Sequence, residues 1–318
     1  MYPIYALFQI LIYKLTKSKI LVINEASGLG DYIWVRSYFE LIKNDTTYKD
    51  YKIIFIGIKR WENFARTFDS KNVDLFLFLR SPAKIPLGFK LIFKLFEFDI
   101  FLNFRAGYDI WNKLTSRVRA KIVLNEKINT DLTLFYSEKN NKTFSQLIPV
   151  PVDFEHTLPI KKINRKILSD PYSVIVLGGY TMGYFSPEQI ASIAQRLSKY
   201  GNILLLGTRQ DAHLYTNVEF SYKENSSKLL NGTNFTESEL PAVVNGAMYI
   251  ITPNTSIYHM ALLLKKTCLC VSLRETSSLD LESDCALHIV SNNDKISLIN
   301  VNTLLHKLEE MINWKMKN

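Results

Sequence analysis

The chain has 318 residues, 47% of them hydrophobic and 22% charged, with a formal net charge of +9. That length favours two domains over one, and the composition excludes a disordered chain. The positive balance fits an anionic partner such as a nucleotide, an acidic glycan or a phospholipid surface; no basic strand with interleaved aromatics and no recognition helix supports a nucleic-acid binder.

Residues 2–13 are apolar and are followed by Lys14, Lys17 and Lys19. The run is too short to span a bilayer and lacks the features of a signal peptide. Leu7, Ile10, Leu11 and Leu15 fall at helical spacing. Two readings stay open: a helix packed on the first domain, or an interfacial helix on the inner membrane surface with its lysines toward lipid phosphates.

An alternating series of strands and helices comes next. Buried-strand runs occupy residues 19–24, 51–58, 74–79, 99–104 and 121–124. Helical patterns fall at 31–43, 61–68, 87–96 and 109–118. Alternation of this kind predicts a parallel sheet covered on both faces. Residues 125–169 are polar, carry Pro149, Pro151 and Pro159 and a basic cluster at Lys161, Lys162, Arg165 and Lys166, and read as partly helical and then a linker.

A second series opens at 172–178. Ser186, Pro187 and Glu188 give a helix start, with serine as cap and proline in the first turn. Strands at 202–207, 248–251, 268–273 and 288–290 follow, with helices at 210–215, from Thr236 to about 246, from Thr255 onward, and at 301–314. The expected architecture is α/β, with two Rossmann-like domains at residues 1–160 and 161–318 and parallel sheets facing an inter-domain cleft. The closing helix could pack back on the first domain. Cys268, Cys270 and Cys285 show neither zinc spacing nor a disulfide framework, and buried free thiols suit a reducing, cytoplasmic compartment.

The segment from Tyr249 to Leu263 is the most informative. An apolar strand runs into Thr252, Pro253 and Asn254, and a helix opens behind them. Asn254 stands where an N-cap should, which leaves the N–H groups of Thr255 and Ser256 pointing outward, with His259 one turn deeper on the same face. Helix N-termini of this kind attract phosphate. An ordinary capped βα unit with a buried histidine fits the same residues.

Three further loops lie at the carboxyl ends of strands, where open parallel sheets bind ligands. Glu25-Ala-Ser-Gly-Leu-Gly-Asp31 has Gly28 and Gly30 for a tight turn, and Asp31 reads either as a helix cap or as a general base. Gly178, Gly179 and Gly183 permit close approach to a phosphate, or form a plain loop. In Leu206-Gly-Thr-Arg-Gln-Asp211, Gly207 opens the turn, Arg209 could pair with phosphate, and Gln210 or Asp211 could hydrogen-bond a ribose. The first half also carries basic side chains: Lys59, Arg60, Arg80 and Lys84, then Arg105, Lys113, Arg117, Arg119 and Lys121. Arg105, directly after a strand, is the one expected to point into the cleft.

Four stretches in order resemble glycosyltransferase family 9, the ADP-heptose:lipopolysaccharide heptosyltransferases, which have a GT-B fold. They are Gly28-Leu-Gly-Asp-Tyr-Ile; Phe104-Arg-Ala with Arg117-Val-Arg-Ala-Lys-Ile; Tyr184-Phe-Ser-Pro-Glu-Gln-Ile with Leu205-Leu-Gly-Thr; and Asn254-Thr-Ser-Ile-Tyr-His-Met-Ala. The last resembles the D-T-G-x-x-H-x-A signature, with Asn254 for its aspartate and Ser256 for its glycine. Tyr184 stands where a lysine often meets the donor phosphates, and Arg274-Glu275 where a small turn is usual.

The resemblance implies a nucleotide-diphosphate sugar on the second domain, ADP-heptose foremost, held by Asn254, Thr255, Ser256, His259, Gly207, Arg209 and Gly178. It implies an anionic glycan or glycolipid acceptor on the first domain, near Gly30, Lys59, Arg60 and Arg105. Asp31 would be the catalytic base of an inverting transfer with no resident cofactor or metal, and no D-x-D pair occurs in the sequence. The alternative is a relative that binds nucleotide or glycan without turnover.

Overall fold

The computed structural model describes residues 2–81, 87–104, 117–125, 136–149, 158–163, 165, 168–179, 183–222, 228–273 and 279–317. The chain divides into two compact units, Met1–Phe154 and Glu155–Asn318.

The first unit holds a parallel sheet of β1 (Ile20–Asn24), β2 (Lys52–Ile58), β3 (Leu75–Leu79), β4 (Phe98–Asn103) and β5 (Ala120–Asn125), in the order β3-β2-β1-β4-β5. Strand side chains alternate between faces. Ile54, Leu75 and Leu77 therefore meet a layer made by α1 (Tyr2–Leu15) and α5 (Leu87–Leu95), whose Ala6, Ile10, Phe89 and Ile92 belong to the same core. The opposite face carries aromatic side chains. Phe55 meets Tyr32 of α2 (Leu29–Val35), Phe39 of α3 (Ser37–Asn44) and Trp61, the cap residue before α4 (Glu62–Asp69); Phe78 also meets Trp61, and Phe76 packs on Phe55 and Phe78. The single helix expected at 31–43 begins at Leu29 and is divided at Arg36 into α2 and α3. The helix expected at 109–118 falls mostly outside the described residues. The polar stretch after β5 does form a helix, α6 (Tyr136–Phe144).

The second unit holds six parallel strands in the order β10-β9-β6-β11-β12-β13. They are β6 (Tyr172–Val176), β9 (Asn202–Leu206), β10 (Leu229–Gly232), β11 (Ile250–Pro253), β12 (Cys268–Ser272) and β13 (Ala286–Val290); a small ribbon, β7 (Gly178–Gly179) and β8 (Gly183–Tyr184), follows β6. Numbered within each unit, the orders are 3-2-1-4-5 and 3-2-1-4-5-6, so the strand order reverses beside β1 in one and beside β6 in the other. Strand β10 was not foreseen: Leu229-Leu-Asn-Gly is short, half polar and ends in glycine, which suits a sheet edge.

The helices of this unit are α7 (Pro187–Leu197), α8 (Ala212–Ser221), α9 (Leu240–Gly246), α10 (Ser256–Leu263) and α11 (Val301–Lys317). The start of α7 is as the sequence predicts: Ser186 accepts the Gln189 N–H at 3.2 Å, and the Gln189 side chain accepts the Ser186 N–H at 2.8 Å. The closing helix is α11. Its apolar stripe, Leu304, Leu308, Met311 and Ile312, is buried in the core of its own unit. All three cysteines are buried and free, and burial raises each thiol above its ordinary range.

Candidate functional site

In an open parallel sheet the natural ligand position lies past the carboxyl ends of the strands where their order reverses. In the second unit that point lies between β6 and β11. These two strands share only two rungs, Ile250↔Val174 and Ile251↔Ile175, whereas β6 and β9 share five. Pairing stops two residues before β11 ends, and the glycine ribbon enters there.

The ribbon's geometry explains its glycines. Gly178 pairs with Tyr184 and Gly179 with Gly183. Gly183 has φ +74, in the left-handed region that favours glycine. A Cβ on Gly178 would lie 2.3 Å from Tyr184 Cδ1, so the tyrosine ring lies across it. A Cβ on Gly179 would lie 2.7 Å from Thr255 Cγ2. Of the two, Gly179 is the one pressed against the start of α10, while Gly178 serves the ribbon.

The cap of α10 is shifted by one residue from the expected Asn254. The Asn254 N–H donates to the Val271 carbonyl at 3.0 Å, so Asn254 still belongs to the sheet. Thr255 is the N-cap: its Oγ1 accepts the Ile257 N–H at 3.3 Å and lies 3.1 Å from Thr252 Oγ1. Among the described residues the N–H groups of Thr255 and Ser256 have no acceptor. Two donors and the positive end of the helix dipole thus lie beside Gly179, at the sheet's reversal point. His259 is buried one turn further in, with its ring 5.2 Å from that of Tyr258.

Gly207 ends β9 with Leu177 Cδ1 and Asp211 Cβ each 3.0 Å from where its Cβ would stand. Asp211 does not reach outward as a ribose ligand. Its Oδ2 accepts the Thr208 N–H at 2.7 Å and the Thr208 hydroxyl at 2.8 Å, which caps the turn. This carboxylate, close to the Tyr184 hydroxyl, holds the phenol above its usual range. Arg209 and Gln210 are exposed beside it.

In the first unit, Asp31 lies in the first turn of α2. Its Oδ2 accepts the Gly28 N–H at 3.1 Å and lies 2.7 Å from the Ser27 hydroxyl. That hydroxyl also meets the carboxylate of Glu25, a fully buried residue. The Trp61 indole N–H donates to the Ser27 carbonyl at 3.0 Å, and the ring stacks on Tyr32 at 4.3 Å. Behind the loop, Arg36 grips Asp69 through two nitrogens at 2.8 and 3.2 Å, and the Tyr32 hydroxyl adds a third bond. Burial pushes the Asp69 carboxyl up against the pull of that guanidinium. The loop that presents Asp31 is therefore held from both sides.

Gly30 lies within α2, and Lys59 and Arg60 form an exposed turn after β2. Lys59 is ion-paired with Glu62, which also takes Arg66 at 2.8 Å. Arg105 lies outside the described residues, as do Lys84, Lys113, Arg274 and Glu275. Lys121 pairs with Asp99 at 2.8 Å. Of the linker's basic cluster, Arg165 is tied to Glu239 at 2.7 and 2.8 Å.

Sequence reasoning missed an asparagine ladder across three strand ends. Asn24 Nδ2 donates to Asn103 Oδ1 at 2.8 Å, and Asn103 Nδ2 donates to Asn125 Oδ1 at 3.2 Å. Asn24 Oδ1 is buried with no partner among the described residues. The signal was available, since three apolar strand runs each end in asparagine. A second missed network is Tyr258, whose hydroxyl accepts the Asp280 N–H at 2.8 Å and lies 3.0 Å from His288 Nε2. Burial, with Lys307 nearby, lowers His288 to about 4, so the neutral ring accepts from the tyrosine. Among the described residues no group of three His, Cys, Asp or Glu side chains could hold a metal ion.

The fold has solved counterparts. A family 9 glycosyl transferase from Veillonella parvula superposes with a TM-score of 0.69 at 13% identity, over 92% of this chain and 97% of that one. The E. coli ADP-heptose lipopolysaccharide heptosyltransferase II gives 0.64 at 13%, over 94% and 99%. The E. coli heptosyltransferase WaaC, solved with ADP-2-deoxy-2-fluoro heptose, gives 0.63 at 12%, over 91% and 99%. No protein-family profile and no curated protein sequence matches the chain. These likenesses establish the fold as GT-B, with at least 91% of this chain and 97% of each counterpart covered.

Proposed function

We propose that this GT-B chain transfers a sugar from a nucleotide-diphosphate donor to an anionic surface glycan or glycolipid, with ADP-heptose as the donor to test first. The observation that carries the reading is the pair of open amides at Thr255 and Ser256, set against Gly179 where the strand order reverses. Donors of that kind suit a diphosphate. The complex of WaaC, which shares the fold, with ADP-2-deoxy-2-fluoro heptose points to the same ligand class.

The reaction is a single displacement with inversion. Asp31 takes the proton from the acceptor hydroxyl as its oxygen attacks the anomeric carbon. The bond to the diphosphate breaks, and its electron pair leaves with the phosphate oxygen. The amides of Thr255 and Ser256, with the helix dipole, stabilise that charge, so the step needs no metal ion. Asn254, His259, Gly207 and Arg209 surround the donor, and Gly30, Lys59, Arg60 and Arg105 meet the acceptor. The chain works at the inner membrane surface, where glycolipid acceptors lie.

Transfer assayed with ADP-heptose and a lipopolysaccharide-core acceptor tests the whole reading. ADP binding by calorimetry with no turnover of any nucleotide sugar would replace it with a binding protein that has lost catalysis. No binding of any nucleotide would overturn it.

A further inference from the structure

Helix α1 is apolar on two opposite faces. Ala6 and Ile10 are fully buried against the sheet. Ile4, Phe8, Leu11 and Leu15, spaced by four, three and four residues, form one stripe on the far side. Helix α5 repeats the arrangement: Phe89, Ile92 and Phe93 are buried, while Leu87, Leu91 and Leu95 line its outer side. The seven outward side chains are between 42% and 74% exposed.

The two helices cover the same face of the sheet and pack against each other. Their outer stripes therefore share one surface. Fourteen residues make α1 about 21 Å long. A contiguous apolar patch of this kind on a water-facing surface marks an interaction site.

Charge identifies the partner. Residues 2–19 and 87–95 contain no acidic residue, and they carry Lys14, Lys17, Lys19, Lys90 and Lys94. Lys14 reaches the carbonyl of Glu97, whereas Lys17, Lys90 and Lys94 have no acidic partner among the described residues. Long lysine stems can lie along the apolar surface while their ammonium groups reach a headgroup layer. No helix among the described residues is long and apolar enough to cross a membrane.

We infer that α1 and α5 together form a platform that lies flat on an anionic phospholipid surface, with both leucine-rich stripes in the headgroup–acyl boundary and the lysines on lipid phosphates. This deepens the membrane element of the proposed function and does not depend on sugar transfer. Sequence alone pointed to α1; the stripe on α5 is a consequence of the fold, which brings a segment about eighty residues away alongside it.

The test is flotation of the full chain with phosphatidylcholine vesicles, with and without phosphatidylglycerol. The wild-type chain floats with the anionic vesicles, and rising salt weakens it. Replacing Leu87, Leu91 and Leu95 together by glutamine lowers vesicle binding about tenfold or more. Lys90→Gln with Lys94→Gln costs about fivefold per lysine on anionic vesicles only. Circular dichroism and ADP affinity stay at wild-type values for both variants. The inference is overturned if the leucine variant floats like wild type, or if wild type ignores vesicles of either composition. It is also overturned if wild type is a dimer that the leucine variant dissolves, since a second copy then covers the face. Loss of ADP binding with vesicle binding intact would sink the transferase reading and leave this one standing.

Discussion

Gly179→Ala is the sharpest probe of the proposed diphosphate site. The new Cβ would stand 2.7 Å from Thr255 Cγ2, and ordinary contact begins at 3.4 Å, so one side must yield by 3.4 − 2.7 = 0.7 Å. Pro253 Cβ, 3.9 Å from the same point, limits a sideways escape. The easier motion carries Thr255 and the first turn of α10 outward. An N–H···O bond of about 2.9 Å stretched by that amount leaves the hydrogen-bonding range. Losing one hydrogen bond to a charged group costs about 1.5–3 kcal/mol. At about 1.4 kcal/mol per factor of ten, ADP should bind about 10- to 140-fold more weakly. Titration calorimetry with ADP measures this, beside a melting curve to show that the variant is folded. If the affinity is unchanged while the melting temperature drops, the substitution has damaged only packing, and the amides of Thr255 and Ser256 are not where the phosphates bind.

The other predictions address separate parts of the molecule. Asp31→Asn should cut transfer by about 10²–10⁴-fold with ADP affinity intact; wild-type turnover would remove the base assignment. Transfer should persist after dialysis against a chelator, because amides and a helix dipole carry the leaving charge; a loss restored by a divalent cation would contradict the displacement as written. Tyr258→Phe removes the hydroxyl that receives the Asp280 N–H and faces His288, so stability should fall by about 1–3 kcal/mol in urea titrations. His288 also sets a pH dependence. Its folded value, about 4, lies below the ordinary 6.5, so the unfolded chain binds more protons between those values. The stability it contributes is present above about 6.5 and lost as pH falls toward 4. Allowing for the ring's partial exposure, the loss is about 1–2 kcal/mol. His288→Gln should flatten that part of the curve; an unchanged slope would show that the ring is not buried in neutral form.

Much of the fold was legible because its strands are buried on both faces. Residues 19–24, 51–58 and 172–178 read as strands without alternation, the pattern a doubly covered parallel sheet imposes. Helix boundaries read well where local chemistry alone sets them, as with Ser186, Pro187 and Glu188 at the start of α7. They read poorly where tertiary pairing decides. Asn254 is as good a cap residue as Thr255. What excludes it is the hydrogen bond from its N–H to Val271, a residue on another strand. No local rule could place the cap one residue later. The same holds for β10, whose four residues form a strand only because Leu204 and Leu205 offer an open edge beside them.

The candidate site shows the same division between local and long-range information. The helix start behind Pro253 and the Gly28–Asp31 turn are short-range features, and both were visible. The roles of the neighbouring residues depend on contacts across the sheet. Gly178 and Gly179 are indistinguishable in sequence, yet one lies under Tyr184 and the other against Thr255. Asp211 looks like a ribose ligand until its carboxylate is found bonded to the N–H and hydroxyl of Thr208. Glu25 gave no signal as a partner of Asp31, because the Ser27 hydroxyl that reaches both carboxylates does so only when the chain turns at Gly28. A transferase needs a base beside one substrate and an anion site for the other. In the proposed reaction each lies on its own Rossmann-like sheet, past the carboxyl end of a strand next to the point where the order reverses. Under that proposal each sheet supplies its half of the chemistry by the same device, a short turn after a strand that leads into a helix N-terminus. The difference lies in what fills the first turn: a carboxylate at Asp31, open amides at Thr255 and Ser256.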